Sequence, residues 1–261
     1  MATGMSSLPQ EVINIIASCL QRRPNESAVR SDEHGRSMLP PYATISRQWQ
    51  EAIETITFRR VELISPDLPY FERIMFKHRR NILRTLSVEV VLPMYSDMAC
   101  AKPEDEVDKQ ANNRAFSSAV KDILGLLRSW HDDRRTEQHI NGIFKEGFLT
   151  LILQECYSPM DGRHRGLDKY EADQRDQFIG LRQDLFVHRY ESSFLRLESP
   201  EDIKQVPQIW HFNVMGSGRR IEPSTIASIA SRLPGLRSIH WHLEEFEDKN
   251  ASRRQQVRYG M

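Results

Sequence analysis

An α/β fold, with a short helical unit ahead of a longer region of alternating strands and helices, is predicted by three features of this 261-residue chain. Two helix-type apolar stretches lie between Leu8 and Phe58, short β-type runs follow from Arg60 onward, and helix candidates separate those runs. Hydrophobic residues make up 39% of the sequence, which suffices for a packed core. The pattern changes after Arg59. Residues 1–59 are therefore read as a helical module with a polar insertion at 21–41, and residues 60–261 as a β-α region with long loops near 93–110 and 157–184.

The first helix is predicted to start at about Leu8. Ser6 or Ser7 suits its cap, Pro9 its first turn, and Glu11 the positive end of its dipole. Its apolar residues Val12, Ile13, Ile15, Ile16, Cys19 and Leu20 cover more than half of its circumference, so so short a helix needs partners on two sides. After the polar stretch, Tyr42, Ile45, Trp49, Ile53 and Ile56 recur at three- and four-residue steps, with Arg47, Gln50, Glu51 and Glu54 opposite. That predicts a second amphipathic helix closed by Phe58.

Strand runs are expected at Arg60 to Ile64, Thr85 to Leu92, Phe148 to Leu153, Ser193 to Leu197, Gln208 to Val214 and Leu236 to Leu243. Helices are expected at Tyr70 to Asn81, Ala111 to Ser129 and Pro223 to Arg232, the last capped by Ser224. Alternation of this kind predicts parallel β-α units. Two units, LRTLSVEV at Leu83 to Val90 and LPGLRSIHWHL at Leu233 to Leu243, have leucines three apart leading into an alternating strand. They resemble the leucine-rich-repeat segment, without its Asn-containing turn and at irregular intervals.

Charge excludes little but points one way. Lys+Arg and Asp+Glu both total 36, and no basic face is concentrated in the sequence, which argues against a nucleic-acid partner. Cys19, Cys100 and Cys156 form no CxxC pair and no disulfide framework, which suits a reducing compartment, cytoplasmic or nuclear. The sequons at Asn25 and Asn250 then carry no meaning. No run approaches the ~20 apolar residues of a membrane span, and no membrane partner is expected.

Chemistry-bearing constellations are sparse. His211, His240 and His242 sit on neighbouring predicted strands, but no carboxylate or cysteine has ligand spacing beside them, and no metal is expected. Val214 to Arg220 (VMGSGRR) lies between a strand and a helix, yet neither GxxxxGK[ST] nor GxGxxG is present, and no cofactor is expected. No GxSxG, HExxH or Cys-His signature marks an enzyme. The two N-terminal helices have a plain structural role open to them, as a cap over Val61 and Leu63 of the first strand. Their surplus apolar surface instead marks a protein-binding site.

The residues Leu8-Pro9-Gln10-Glu11-Val12, then Ile15-Ile16, then Ile45-Ser46-Arg47-Gln48-Trp49, resemble the F-box, with its LPxE(I/V) start and later hydrophobic-(C/S)-(K/R)-x-W helix. The remainder is similar to fungal F-box proteins with irregular leucine-rich-type C-terminal regions, particularly PPYATISRQWQEAIETITFRRVEL and IASRLPGL. The resemblance implies a non-catalytic substrate receptor of an SCF-type cullin-RING ubiquitin ligase. Leu8, Pro9, Val12, Ile15 and Ile16 would contact a Skp-family adaptor, through it a cullin, with Ile45 and Trp49 in the packed second half. The β-α region would hold an unknown protein substrate. The sequence departs from the family between Gln21 and Pro41, where a leucine-bearing middle helix is usual. A stand-alone interaction scaffold and an enzyme with a cryptic pocket are the alternatives.

Overall fold

A computed structural model describes residues 8–21, 39–99, 102–141, 149–161 and 189–241. Helix α1 spans Gln10–Gln21 and α2 Arg47–Thr57. Strand β1 (Arg60–Ile64) follows, then α3 (Leu68–Ile74), α4 (Lys77–Ile82), β2 (Thr85–Val91), α5 (Glu106–Asn141), β3 (Leu149–Tyr157), β4 (Ile209–Gly218), α6 (Pro223–Ser231) and β5 (Ser238–Trp241). The five strands form one parallel sheet in the order β1-β2-β3-β4-β5. Among the described residues, α3, α5, α6 and the end of the β3–β4 connection share one hydrophobic core with the sheet, as right-handed crossovers between parallel neighbours require.

Side-chain alternation builds the core on that face. Register aligns Val61, Leu86, Leu151, Phe212 and Ile239 in one row and Leu63, Val88, Leu153, Val214 and Trp241 in the next. The central members of both rows are buried, against Phe116, Val120, Ile123, Leu124 and Leu127 of α5 and Ile226 and Ile229 of α6. Each such side chain contributes roughly 1.5–3 kcal/mol through burial. The opposite face carries Arg60, Thr85, Thr150, His211 and Ser238, then Glu62, Ser87, Ile152, Asn213 and His240. It is polar apart from Ile152, and Ser87, buried, donates to Gln154 Oε1 at 2.8 Å.

Several expected elements shift. The amphipathic stretch from Tyr42 breaks at Ser46: Pro40–Thr44 forms a 3-10 turn, and extended Ser46 accepts a hydrogen bond from Trp49 N at 3.4 Å, starting α2 only at Arg47. Tyr70 to Asn81 splits because Met75 leaves helical geometry (φ −84, ψ 73) while its side chain enters the core. Helix α5 begins inside the expected 93–110 loop, because Asp105 accepts from Asp108 N at 2.8 Å and caps an exposed first turn that lacks apolar periodicity. Glu222, not Ser224, precedes α6, with Pro223 in its first turn.

Ser193 to Leu197 alternates as a strand does but is not one. Leu195 makes a single bridge to Ile221, while the N–H groups of Arg196, Leu197 and Glu198 bond side chains of Asn113, Thr225 and Ser117. Partners on α5 and α6 satisfy this backbone in place of a neighbouring strand. Of the expected 157–184 loop only the first residues are described. The Ser6 or Ser7 cap, most of the 21–41 insertion, and the end of the last strand beyond Trp241 lie outside the described residues.

Residues of α1 and α2, with Leu39 ahead of the 3-10 turn, have a small core of their own, Ile13, Ala17, Leu39, Ala52 and Ile53. It is joined to the sheet unit through Glu54, which the sequence pattern placed on the solvent face and which is only 6% exposed. Its carboxylate accepts from Arg79 at 2.7 Å and Gln50 at 2.9 Å, and His78 Nε2 lies 2.5 Å away. The Arg79 guanidinium also stacks on Phe58 at 4.3 Å, and Phe58 packs on the sheet core. The Arg79 hydrogen bond, outweighing burial, holds the Glu54 carboxyl at about 2, below the ordinary 4.5. A carboxyl lowered in the folded state stabilises above its unfolded pKa, and that contribution is lost as pH falls from about 4.5 towards 2.

Glu54→Gln is accordingly expected to lower stability near neutral pH by about 3 kcal/mol and to remove the part of the acid transition between pH 4.5 and 2. Urea unfolding across that pH range measures both effects. Two glycines give opposite expectations. A Cβ on Gly235 would stand 2.0 Å from the Pro207 carbonyl oxygen, so Gly235→Ala is expected to cost roughly 2 kcal/mol or more by prising β5 from the chain entering β4. Gly125, inside α5, has open space at its Cβ, and Gly125→Ala is expected to stabilise by about 1 kcal/mol in thermal unfolding.

Candidate functional site

The packing of α1 divides its apolar residues. Ile13 and Ala17, one turn apart, enter the small core against Ala52 and Ile53. Val12, Ile15 and Cys19, at steps of three and four, fall on a second stripe and are exposed, Ile15 by 63%, and Leu8, two residues ahead of the helix, is 49% exposed. Pro9 is also exposed and Ile16 half-buried. Helix α2 covers one side of α1, and no described element covers the other.

Gln10 Nε2 donates to Gln48 O at 3.1 Å, which draws the start of α1 to the start of α2. Ile45, exposed, stands just ahead of α2 at the Ser46 break. Trp49 plays another part. It is half-buried, its ring stacked on Tyr42 with centroids 6.2 Å apart, within the small core. Val12 and Ile15 thus share one outward stripe of α1 with Leu8 exposed ahead of it, Ile45 is exposed at the turn before α2, and Trp49 supports α2 from inside.

A second concentration of functional groups lies at the carboxyl edge of the sheet, where ligands of open α/β sheets usually bind. Arg219, directly after β4, donates from both terminal nitrogens to Glu104, each at 2.8 Å, and to Ser193 Oγ at 2.9 Å. Ser193 and Asn112 donate to the same carboxylate, and all of these groups are buried. Beside them Arg189 pairs with Asp108 at 2.6 Å and lies 4.0 Å over the Tyr95 ring. Tyr95 and Tyr190 both donate to Asp161, at 2.5 and 3.0 Å. Burial and the Asp161 charge push the Tyr190 hydroxyl upward, and burial pushes the Cys156 thiol up to about 12.

These groups bind one another. The carboxylates are saturated by guanidinium, hydroxyl and amide donors, and the buried thiol is held in its unreactive form. They tie the 93–105 connection, the 189–195 segment and the end of β4 into one edge. A small cavity, lined by Val120, Ile123, Leu124, Leu151, Leu153, Phe212 and Ile229, is wholly apolar and opens between α5 and the sheet. Sequence reading missed this cluster because Glu104 and Arg219 stand 115 positions apart, each in a stretch that reads as loop. The VMGSGRR segment read for phosphate binding supplies that arginine.

The histidines separate. His211 Nδ1 lies 2.6 Å from Ser238 Oγ, His240 is exposed beside Asn213 in register, and His242 lies outside the described residues. Among the described residues no three His, Cys, Asp or Glu side chains are grouped to hold a metal ion, and no helix is long and apolar enough to cross a membrane. Comparison of the chain with family models, with curated proteins and with solved structures returns no match.

Proposed function

We propose that this protein is a non-catalytic substrate receptor of an SCF-type ubiquitin ligase, its helical unit docking on a Skp-family adaptor and its β-α region holding a protein substrate. The observation that carries the reading is the second apolar stripe of α1, Val12, Ile15 and Cys19, left exposed with Leu8 just ahead of the helix after Ile13 and Ala17 have been buried. Exposed apolar side chains at helical spacing are what a helix offers to a protein groove. They also coincide with the positions at which the F-box resemblance places adaptor contacts.

Two further features support the division of labour. The Glu54 joint fixes the helical unit to the sheet unit, so that a partner on α1 holds the sheet in a defined direction. The sequential parallel sheet, polar on one face and covered by helices on the other, supports the comparison with leucine-rich-repeat proteins, whose strands present a broad face to another protein.

Co-expression with a Skp-family adaptor followed by affinity capture tests the proposal. The parent chain is expected to co-purify, and Leu8→Asp or Val12→Asp to reduce recovery at least about tenfold, since a charge in a buried apolar contact costs more than 1.4 kcal/mol. Both residues are exposed, so the variants keep the parent's thermal stability. Failure of the parent chain to bind sinks the ligase link and leaves a stand-alone interaction scaffold.

A further inference from the structure

Strand β1 pairs with β2 alone, which leaves its other edge free. Thr85 N donates to Arg59 O at 3.1 Å, and main-chain groups alternate in direction along a strand. Arg59, Val61 and Leu63 therefore turn their N–H and C=O towards β2, while Arg60, Glu62 and Ile64 turn theirs away. Among the described residues no element hydrogen-bonds the outward main chain of Arg60 or Glu62. Their side chains stand on the polar face of the sheet, 66% and 63% exposed, with Arg60 Nε and Glu62 Oε1 3.6 Å apart. An unpaired edge of this kind is a template for a further strand.

The charge pattern selects which strand. Opposed residues of an antiparallel pair lie on the same face, so a strand joining β1 must match polar positions with polar and apolar with apolar. Arg60-Val61-Glu62 does this with itself. Reversed about Val61, it sets Arg60 opposite the partner's Glu62, Glu62 opposite the partner's Arg60, and Val61 opposite the partner's Val61. Arg60 and Glu62 are also the residues whose main chain points outward, so the same alignment makes each opposite-charge pair a hydrogen-bonded pair. Reversal about Arg60 or about Glu62 would oppose like charges instead. The far edge of the sheet matches less well: Ser238–Trp241 holds no arginine or carboxylate, and a β5-to-β1 contact between copies would be head-to-tail and would not close on itself.

We infer that β1 pairs with β1 of a second copy of this chain, antiparallel about a two-fold axis at Val61, so that the two sheets run into one. The self-complementary edge closes the assembly at a dimer. A five-residue strand buries little area, so the dimer is weak and reversible. The pairing does not depend on the receptor reading; for such a receptor it would bring two substrate-holding regions together.

Sedimentation velocity of the full chain over a range of concentrations, without any adaptor, tests the pairing and is expected to show a monomer–dimer equilibrium. Arg60→Glu alone and Glu62→Arg alone each oppose like charges twice across the axis, and each is expected to weaken dimerisation at least about tenfold. The Arg60→Glu/Glu62→Arg double variant restores opposite charges in the same register and is expected to dimerise as the parent does. Both positions are exposed, so thermal unfolding at dilution is expected to match the parent in all three variants. A parent that stays monomeric at every concentration overturns the proposal and leaves the edge to a strand of another protein. It is equally overturned if the single variants dimerise as the parent does, or if the double variant dimerises no better than the single ones.

Discussion

Pairing of the five strands in chain order and in parallel is the constraint on which the rest of this molecule depends. A parallel neighbour cannot be reached by a tight hairpin, so each strand is followed by a crossover, and a common hand puts the crossovers on one face. One face of the sheet therefore carries the rows led by Leu86 and Val88 into α5 and α6, and the other is left to Thr85, Ser87, Thr150 and Asn213. The edges inherit their character from the same register. Whatever residue precedes a strand joins the amino-terminal rim, and whatever follows one joins the carboxyl rim.

At the carboxyl rim Glu104, Arg219, Ser193 and Asn112 bury their charge and satisfy it internally, which anchors connections that have little apolar content. Removing charges from water is costly, and a bidentate pair with further donors on the same carboxylate offsets that cost. This arrangement builds structure rather than a site.

Glu54 provides the mechanical link between the helical unit and the sheet. A carboxylate on α2, buried against Arg79 and His78 of α4, joins two separate hydrophobic cores. An ionic joint is directional where an apolar one is not, so it fixes how α1 and its exposed stripe stand relative to the sheet. The same residue shows the limit of helical periodicity, which assigned Glu54 to solvent because it lies opposite Trp49 and Ile53.

Local signals in the sequence determined the elements that have them. Strand β1 runs from Arg60 to Ile64 as its alternation indicates, β2 and β4 begin within one residue of their runs, and the excess apolar surface of α1 follows from counting side chains on a short helix. Ser193 to Leu197 shows why alternation alone is insufficient: its buried side chains alternate, but its backbone partners are Asn113, Ser117 and Thr225 on helices. The sequence by itself thus determined an α/β chain with a helical unit in front. Only the tertiary structure decided the strand order and the Glu104–Arg219 staple, which no reading of net charge or local motifs reveals. The physical reason is range: propensity and periodicity act over a few residues, whereas register and charge pairing join residues more than a hundred positions apart.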